Sequence, residues 1–264
     1  MKARTMVMAV LLCGMGILAI GCNGPKWTCR QVSEQLAASD NAAIRPVPRL
    51  ESSWWVERHN AVNSRVQQGN VDLMLIGDSI THGWENHPDL WQTYFGRWNT
   101  VNAGFSGDRT QHVLWRLDNG NIDGISPRVV MLMIGTNNSN GNDHTAEEIA
   151  EGIAAIVCKL RAKLPESKVV ILGIFPRGSK EQRNDKTADA VYNPQWSKND
   201  KANELVSRLA DGKHIFYLNI NHVFLDDQGV LRRDIMPDLL HLSKEGYKRW
   251  GQAVLPTLDK LMAE

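Results

Sequence analysis

The stretch Leu73-Met-Leu-Ile-Gly-Asp-Ser-Ile-Thr-His-Gly-Trp84 decides how the rest of the chain is read. An apolar run, Val71 to Ile76, has the length of a buried strand and halts abruptly at Gly77-Asp78-Ser79. Gly-Asp-Ser is an ordinary way to end a strand in a turn. It also sets a hydroxyl at the carboxyl end of a buried strand, where a nucleophile would stand.

Working outward, four more apolar segments recur: Thr100–Ala103, Val129–Ile134, Val169–Ile174 and Ile215–Ile220. Helical patterns lie before and between them. Ser53–Gln68 carries Trp55, Val62 and Val66 at compatible spacings, and Arg109–Leu117 is a second such segment. Thr145–Leu164 opens with a Thr145-x-x-Glu148 capping box and closes at Pro165. Asn199–Leu209 and Ser243–Met262 follow, the last with Ser243 as N-cap. Strands that are apolar almost throughout, alternating with helices, indicate a parallel sheet covered on both faces. The expected fold class is α/β, a three-layer α/β/α domain on a central five-stranded parallel sheet. The polar stretch Arg177–Trp196 is longer than the usual connection and reads as a functional or mobile loop.

The chain has 264 residues, 42% hydrophobic and 22% charged, which accommodates one sizeable core. A net charge of +1 gives no reason to expect nucleic acid as a partner. Lys2 and Arg4 precede an uncharged run to Gly21, so residues 1–21 are expected to be an export signal. Ala19-Ile20-Gly21-Cys22 resembles a bacterial lipobox, with Ala19 where leucine is commonest, and this makes Cys22 the expected lipidation site. The expected location is the cell envelope, as a periplasmic or surface-facing lipoprotein, with free secretion as the alternative. Membrane contact is expected only through that N-terminal lipid. Residues 22–52, with Pro25, Pro46 and Pro48, read as a tether and lead-in, and 53–264 as the domain. Cys158 falls in an apolar helical pattern and is expected to be a buried free thiol, with its pairing to Cys29 left open.

In open parallel sheets ligands bind beyond the carboxyl ends of the strands. There stand Gly77-Asp78-Ser79, Gly104-Phe-Ser-Gly-Asp108 and Gly135-Thr-Asn-Asn138, with Asp238-Leu-Leu-His241 before the last helix. A serine is a weak nucleophile until an imidazole takes its proton, and a carboxylate must orient that imidazole. Asp238 and His241, three apart, can supply the pair. The Ser79 and Gly107 amides and the Asn137 side chain are candidate donors to an oxyanion. Each element alone also has a bland reading as a turn or a helix start. Their order at successive strand ends carries the signal.

These blocks resemble the SGNH, or GDSL-type, hydrolases, over residues 53 to 264. Within them the chain is most similar to the catalytic subunits of platelet-activating-factor acetylhydrolase and bacterial relatives. "GDRTQHVLWRLDNG", "IGTNN", "ILGIFPRG" and "DLLHLSKEGY" carry the closer likeness. Ile80 stands where the nominal motif has leucine, a volume-conserving change. The resemblance implies a flavodoxin-like SGNH fold, Ser79 as nucleophile, His241 as general base and Asp238 as orienting carboxylate. Ser79, Gly107 and Asn137 would line the oxyanion hole. It implies an acyl-enzyme, no metal and no cofactor, and relatives suggest a homodimer. The expected substrate is a small ester of a short acyl group, acetyl above all, carried on a saccharide. A lysophospholipase or thioesterase on the same residues, or a catalytically silent carbohydrate-binding protein, are the alternatives.

Other residues invite readings of their own. Ser106 lacks the Gly-x-Ser-x-Gly spacing of a nucleophile elbow and is expected to shape the loop that presents Gly107. The eight histidines show no metal-binding spacing. Trp84 and Trp196, both expected on loops, read equally as core residues or as rings that stack on a sugar.

Overall fold

The computed structural model describes residues 26–264, so the expected signal and Cys22 lie outside the described residues. Five parallel strands form the sheet: β1 (Leu73–Gly77), β2 (Thr100–Gly104), β3 (Val129–Met133), β4 (Lys168–Leu172) and β5 (Ile215–Leu218). Their order is β2-β1-β3-β4-β5, which makes β1 the strand from which the chain winds both ways. The pairing brings Gly77 level with Gly104 on one side and Met133 on the other. All three strand ends therefore open on the same edge, at the topological switch point.

Side chains alternate between two cores, as a strand's period of two requires. Met74, Ile76, Val130, Leu132, Val169 and Ile171 face one apolar cluster; Leu73, Leu75, Met131, Met133, Val170 and Leu172 face the other. The first face is covered by α2 (Ser53–Gln67), α5 (Thr110–Asp118), α6 (Ala146–Lys163) and α8 (Pro194–Ser207). The second is covered by α4 (Pro88–Phe95) and α9 (Lys244–Ala263). The capping box of Thr145 and Glu148 starts α6, and Ser243 caps α9. No described helix is long and apolar enough to cross a membrane.

Three expectations need correction. Cys29 and Cys158 form a disulfide with Cα atoms 5.2 Å apart, so Cys158 is not a free thiol. Its helix exposes one edge, and α1 (Cys29–Leu36) lies along α6 there, with Val32 buried. The lead-in is accordingly no loose tether from Cys29 onward. Asn41 bonds the Glu148 carbonyl and the Glu151 carboxylate, and Ala43 is fully buried.

The tryptophan expectation also resolves toward the core. Trp84 is fully enclosed by Phe95, Tyr247 and Trp250, with ring centroids 4.9, 4.9 and 5.2 Å away. Trp196 is buried against Tyr192 in the first turn of α8, which begins five residues earlier than the apolar pattern indicated. Neither ring can reach a sugar. The long 177–196 connection is not irregular throughout, since it holds the short helix α7 (Lys180–Asn184).

Candidate active site

Immediately after β1 the chain turns into a single helical turn, α3 (Ser79–His82), capped by the Asp78 side chain on the Ile80 amide at 2.9 Å. Gly77 is needed here for space: a Cβ on it would collide with the Met133 carbonyl and the Thr81 side chain. Close approach of α3 to the sheet holds Ser79 at the strand's end. Ser79 is the first residue of the turn, so its amide has no acceptor within the helix.

The far end of the chain supplies the partners. Ser79 Oγ lies 2.8 Å from His241 Nε2, and His241 Nδ1 lies 2.8 Å from Asp238 Oδ2. The other Asp238 oxygen accepts from the amides of Leu240 (3.1 Å) and His241 (2.7 Å). The carboxylate thus fixes the turn that carries the imidazole. It also settles the proton on Nδ1 and leaves the Nε2 lone pair for the serine. Burial alone would raise the Asp238 pKa. Hydrogen bonds from the His241 ring and amide, with Arg183 nearby, outweigh it and hold the carboxyl well below the usual range.

The structure brings the expected oxyanion donors to the same edge. The Phe105 amide donates to the Gly77 carbonyl at 3.0 Å, which pins the loop after β2 to the end of β1. Gly107 takes φ = +80°, a conformation that favours glycine, and lies exposed. Asn137 donates one amide hydrogen to the Asp108 carbonyl at 2.9 Å, which leaves its second hydrogen for a ligand. Ser106 shapes this loop as expected. Its hydroxyl meets His82 Nδ1 at 2.9 Å and its carbonyl accepts from Arg49 at 2.8 Å.

Beneath the loop Asp108 is fully buried, held by Arg116 (2.9 Å) and the Trp55 indole (2.8 Å). Arg116 in turn lies over the Phe105 ring at 3.9 Å. Asp78 has one oxygen on Ile80 and the other buried without a partner. Burial pushes its pKa up to about 7, against the pull of the Ile80 amide and of His241.

Sequence reasoning missed Arg49, Arg177 and Arg183. Arg49, from the lead-in, braces the Ser106–Asp108 loop and lies 3.6 Å from Asp108. Arg183, on α7, donates to the Asp238 carbonyl at 3.1 Å and lies 3.4 Å from its carboxylate. Arg177 is buried and donates to the Thr136 carbonyl at 2.7 Å, behind the Asn137 turn. Only Arg177 had a sequence signal, its place in "IFPRG" after a strand.

A cleft of about 290 Å³ opens over Ser79 and His241, lined also by His82, His87, Ser106 and Tyr247. Among the described residues, no group of three or more His, Cys, Asp or Glu is placed to hold a metal ion.

Residues 75–249 match the model of the GDSL-like lipase/acylhydrolase family. This chain belongs to that family. Human platelet-activating factor acetylhydrolase IB subunit alpha1 is 32% identical to this GDSL acylhydrolase over 233 residues, 87% of this chain and 94% of the relative. The alpha2 subunit of the rat enzyme is 34% identical over 211 residues, 80% of this chain and 86% of the relative. Among solved structures, a GDSL-like lipase from Bacteroides thetaiotaomicron superposes with a TM-score of 0.59 at 21% identity. It covers 77% of this chain and 97% of that one. A carbohydrate acetylesterase from Sinorhizobium meliloti gives 0.53 at 18% identity, covering 72% and 99%. These two establish a shared fold. The GDSL acylhydrolase is thus an α/β hydrolytic enzyme of the esterase and acylhydrolase class.

Proposed function

We propose that the protein is a serine esterase that removes short acyl groups, acetyl above all, from carbohydrate esters. The observation that carries this reading is the hydrogen-bonded chain Ser79–His241–Asp238, 2.8 Å at each step, beside unused backbone and amide donors. In this mechanism His241 Nε2 takes the Ser79 proton as Oγ attacks the ester carbonyl. The Ser79 and Gly107 amides and the spare Asn137 N–H stabilise the oxyanion. His241 returns the proton to the departing alkoxide. Water then attacks the acyl-enzyme, with the same base, and restores Ser79. Asp238 remains ionised throughout.

Two features favour a short acyl group. The cleft is small, and apart from Leu242 and the Tyr247 ring its lining is polar or glycine, which gives a long alkyl chain little to bury against. The relatives in the 32–34% range are named for acetyl hydrolysis. For a sugar, the candidate platform is Trp54. Its half-exposed ring sits 5.4 Å from the His82 ring, which lines the cleft. A disulfide is at home in an oxidising compartment, which supports export and a lipid tether at Cys22 as part of the same proposal.

The test is a p-nitrophenyl ester series from acetate to palmitate, run on the protein and on Ser79→Ala. The expected result is fastest turnover of acetate, lowered about 10⁴-fold or more in the variant. Rates that climb with chain length would transfer the assignment to a lysophospholipase or thioesterase. No turnover of any ester would leave a carbohydrate-binding protein on this fold.

A further inference from the structure

A second cavity, of about 450 Å³, lies against Asp238 and does not include Ser79. Asp238 holds Nδ1 of His241 while Ser79 holds Nε2, so cavity and nucleophile lie on opposite sides of one imidazole ring.

The lining is strongly cationic: Arg177, Lys180, Arg183 and Lys186, with the neutral amides of Asn140 and Gln195. Asp238 is its one carboxylate, and that charge is already engaged by His241 and Arg183. Arg177 spends Nη1 on neutral acceptors, the Thr136 carbonyl and the Asn140 side chain. Its Nε is buried with no hydrogen-bond partner. Lys186 reaches only the Arg183 carbonyl. Glu181, next to Lys180, accepts from the Ser179 hydroxyl.

Burial and the neighbouring Arg183 push the Arg177 pKa down to about 10, as expected of a cation crowded by another cation. Holding a guanidinium out of water with an unmet donor is costly, and so is gathering like charges around it. An oxyanion entering the cavity would offset that crowding of like charge, and Arg and Lys are the side chains that bind carboxylate and phosphate. The chain's net charge of +1 conceals this local excess.

We propose that this cavity is an anion subsite, which takes a carboxylate or phosphate carried on the alcohol part of the ester and so orients the acyl group toward Ser79. The preferred substrate is then an acetylated acidic sugar, either a uronic acid or a sugar phosphate. This inference rests on the esterase reading.

The experiment compares kcat/KM for three acetylated methyl glycosides that share one ring: the neutral sugar, its uronic acid and its 6-phosphate. Wild type and the double variant Lys180→Gln/Lys186→Gln are run side by side, since both lysines are exposed and their loss leaves the core intact. The expected result is a preference of about tenfold or more for an anionic ester, carried by KM, that collapses in the double variant. The better of the two anionic esters identifies the group recognised. Equal rates on neutral and anionic esters, or an unchanged ratio in the double variant, would overturn the subsite. Should neither these glycosides nor any p-nitrophenyl ester be hydrolysed, calorimetric binding of glucuronate and inorganic phosphate to Ser79→Ala decides separately. Binding that disappears when the two lysines are also replaced keeps the subsite while the esterase reading fails. No binding refutes both.

Discussion

Leu239 stands between Asp238 and His241 with φ = +57°, a backbone conformation that a branched, buried side chain rarely adopts. Hydrogen bonds hold it there on both sides, from its amide to the Met236 carbonyl and from the Gly178 amide to its own carbonyl, each 2.8 Å. The strain sits between the two side chains that must face each other, where over-determined backbone commonly accompanies function. A few residues away in space, Asp78 gives a pH signature. Its folded pKa of about 7 is above the ordinary 3.8, so the folded state keeps a proton that the unfolded chain has released. Its contribution is full below about pH 4 and is lost as pH rises toward 7, on the order of a few kcal/mol. Asp238, held low, acts in the opposite direction and only as pH falls below about 4. The expected outcome is that Asp78→Asn, which keeps the bond to Ile80, flattens the fall in Tm between pH 4 and 7. An unchanged slope would place that dependence elsewhere.

At the scale of elements, the loop after β2 depends on a residue from outside the sheet. Arg49 bonds the Ser106 carbonyl and lies over Gly107, whose amide the proposed mechanism aims at the oxyanion. Arg49→Ala should lower kcat about tenfold on acetate esters and leave KM much less affected, because an oxyanion donor acts mainly in the transition state. An equal loss in both would make Arg49 a substrate contact. Much at this scale was legible in the sequence. Strands buried on two faces announce themselves as apolar runs, and helices with side-chain caps at Thr145 and Ser243 announce their starts. The blocks that bring Ser79, Asp238 and His241 together were legible because they are short and stand at a strand end or just before a capped helix. The lead-in was not, because α1 is only eight residues long and its apolar stripe is just Cys29, Val32 and Leu36, too short to stand out as a helix. Trp84 was ambiguous because Trp250, which encloses it, becomes its neighbour only on folding, and Trp196 because the helix that carries it starts before its apolar pattern does. Arg183 grips a residue 55 positions away, a contact that local pattern cannot foretell.

Across the whole molecule, one covalent bond spans 129 residues, from the lead-in to the middle of α6. Closing so long a loop in the unfolded chain is worth about 2–5 kcal/mol. Replacing both Cys29 and Cys158 with serine should lower Tm, and reductant should bring wild type down to the same value. A wild-type Tm indifferent to reductant would deny the bond that contribution. Loss of the bond should also loosen the segment that ends in Arg49, so activity should fall ahead of global unfolding.

The spacing of the triad has a temporal consequence. Ser79 and His241 are 162 positions apart, with the proposed nucleophile near the start of the sheet and the proposed base just before the final helix. A chain that emerges from its N-terminus therefore completes its central strands long before it owns a base. During synthesis, and during any threading through a narrow passage, the serine is present but unarmed. Loss of the stretch from Asp238 onward returns the molecule to that condition, so under the proposed mechanism hydrolysis itself reports that the last stretch of the chain has arrived and folded home.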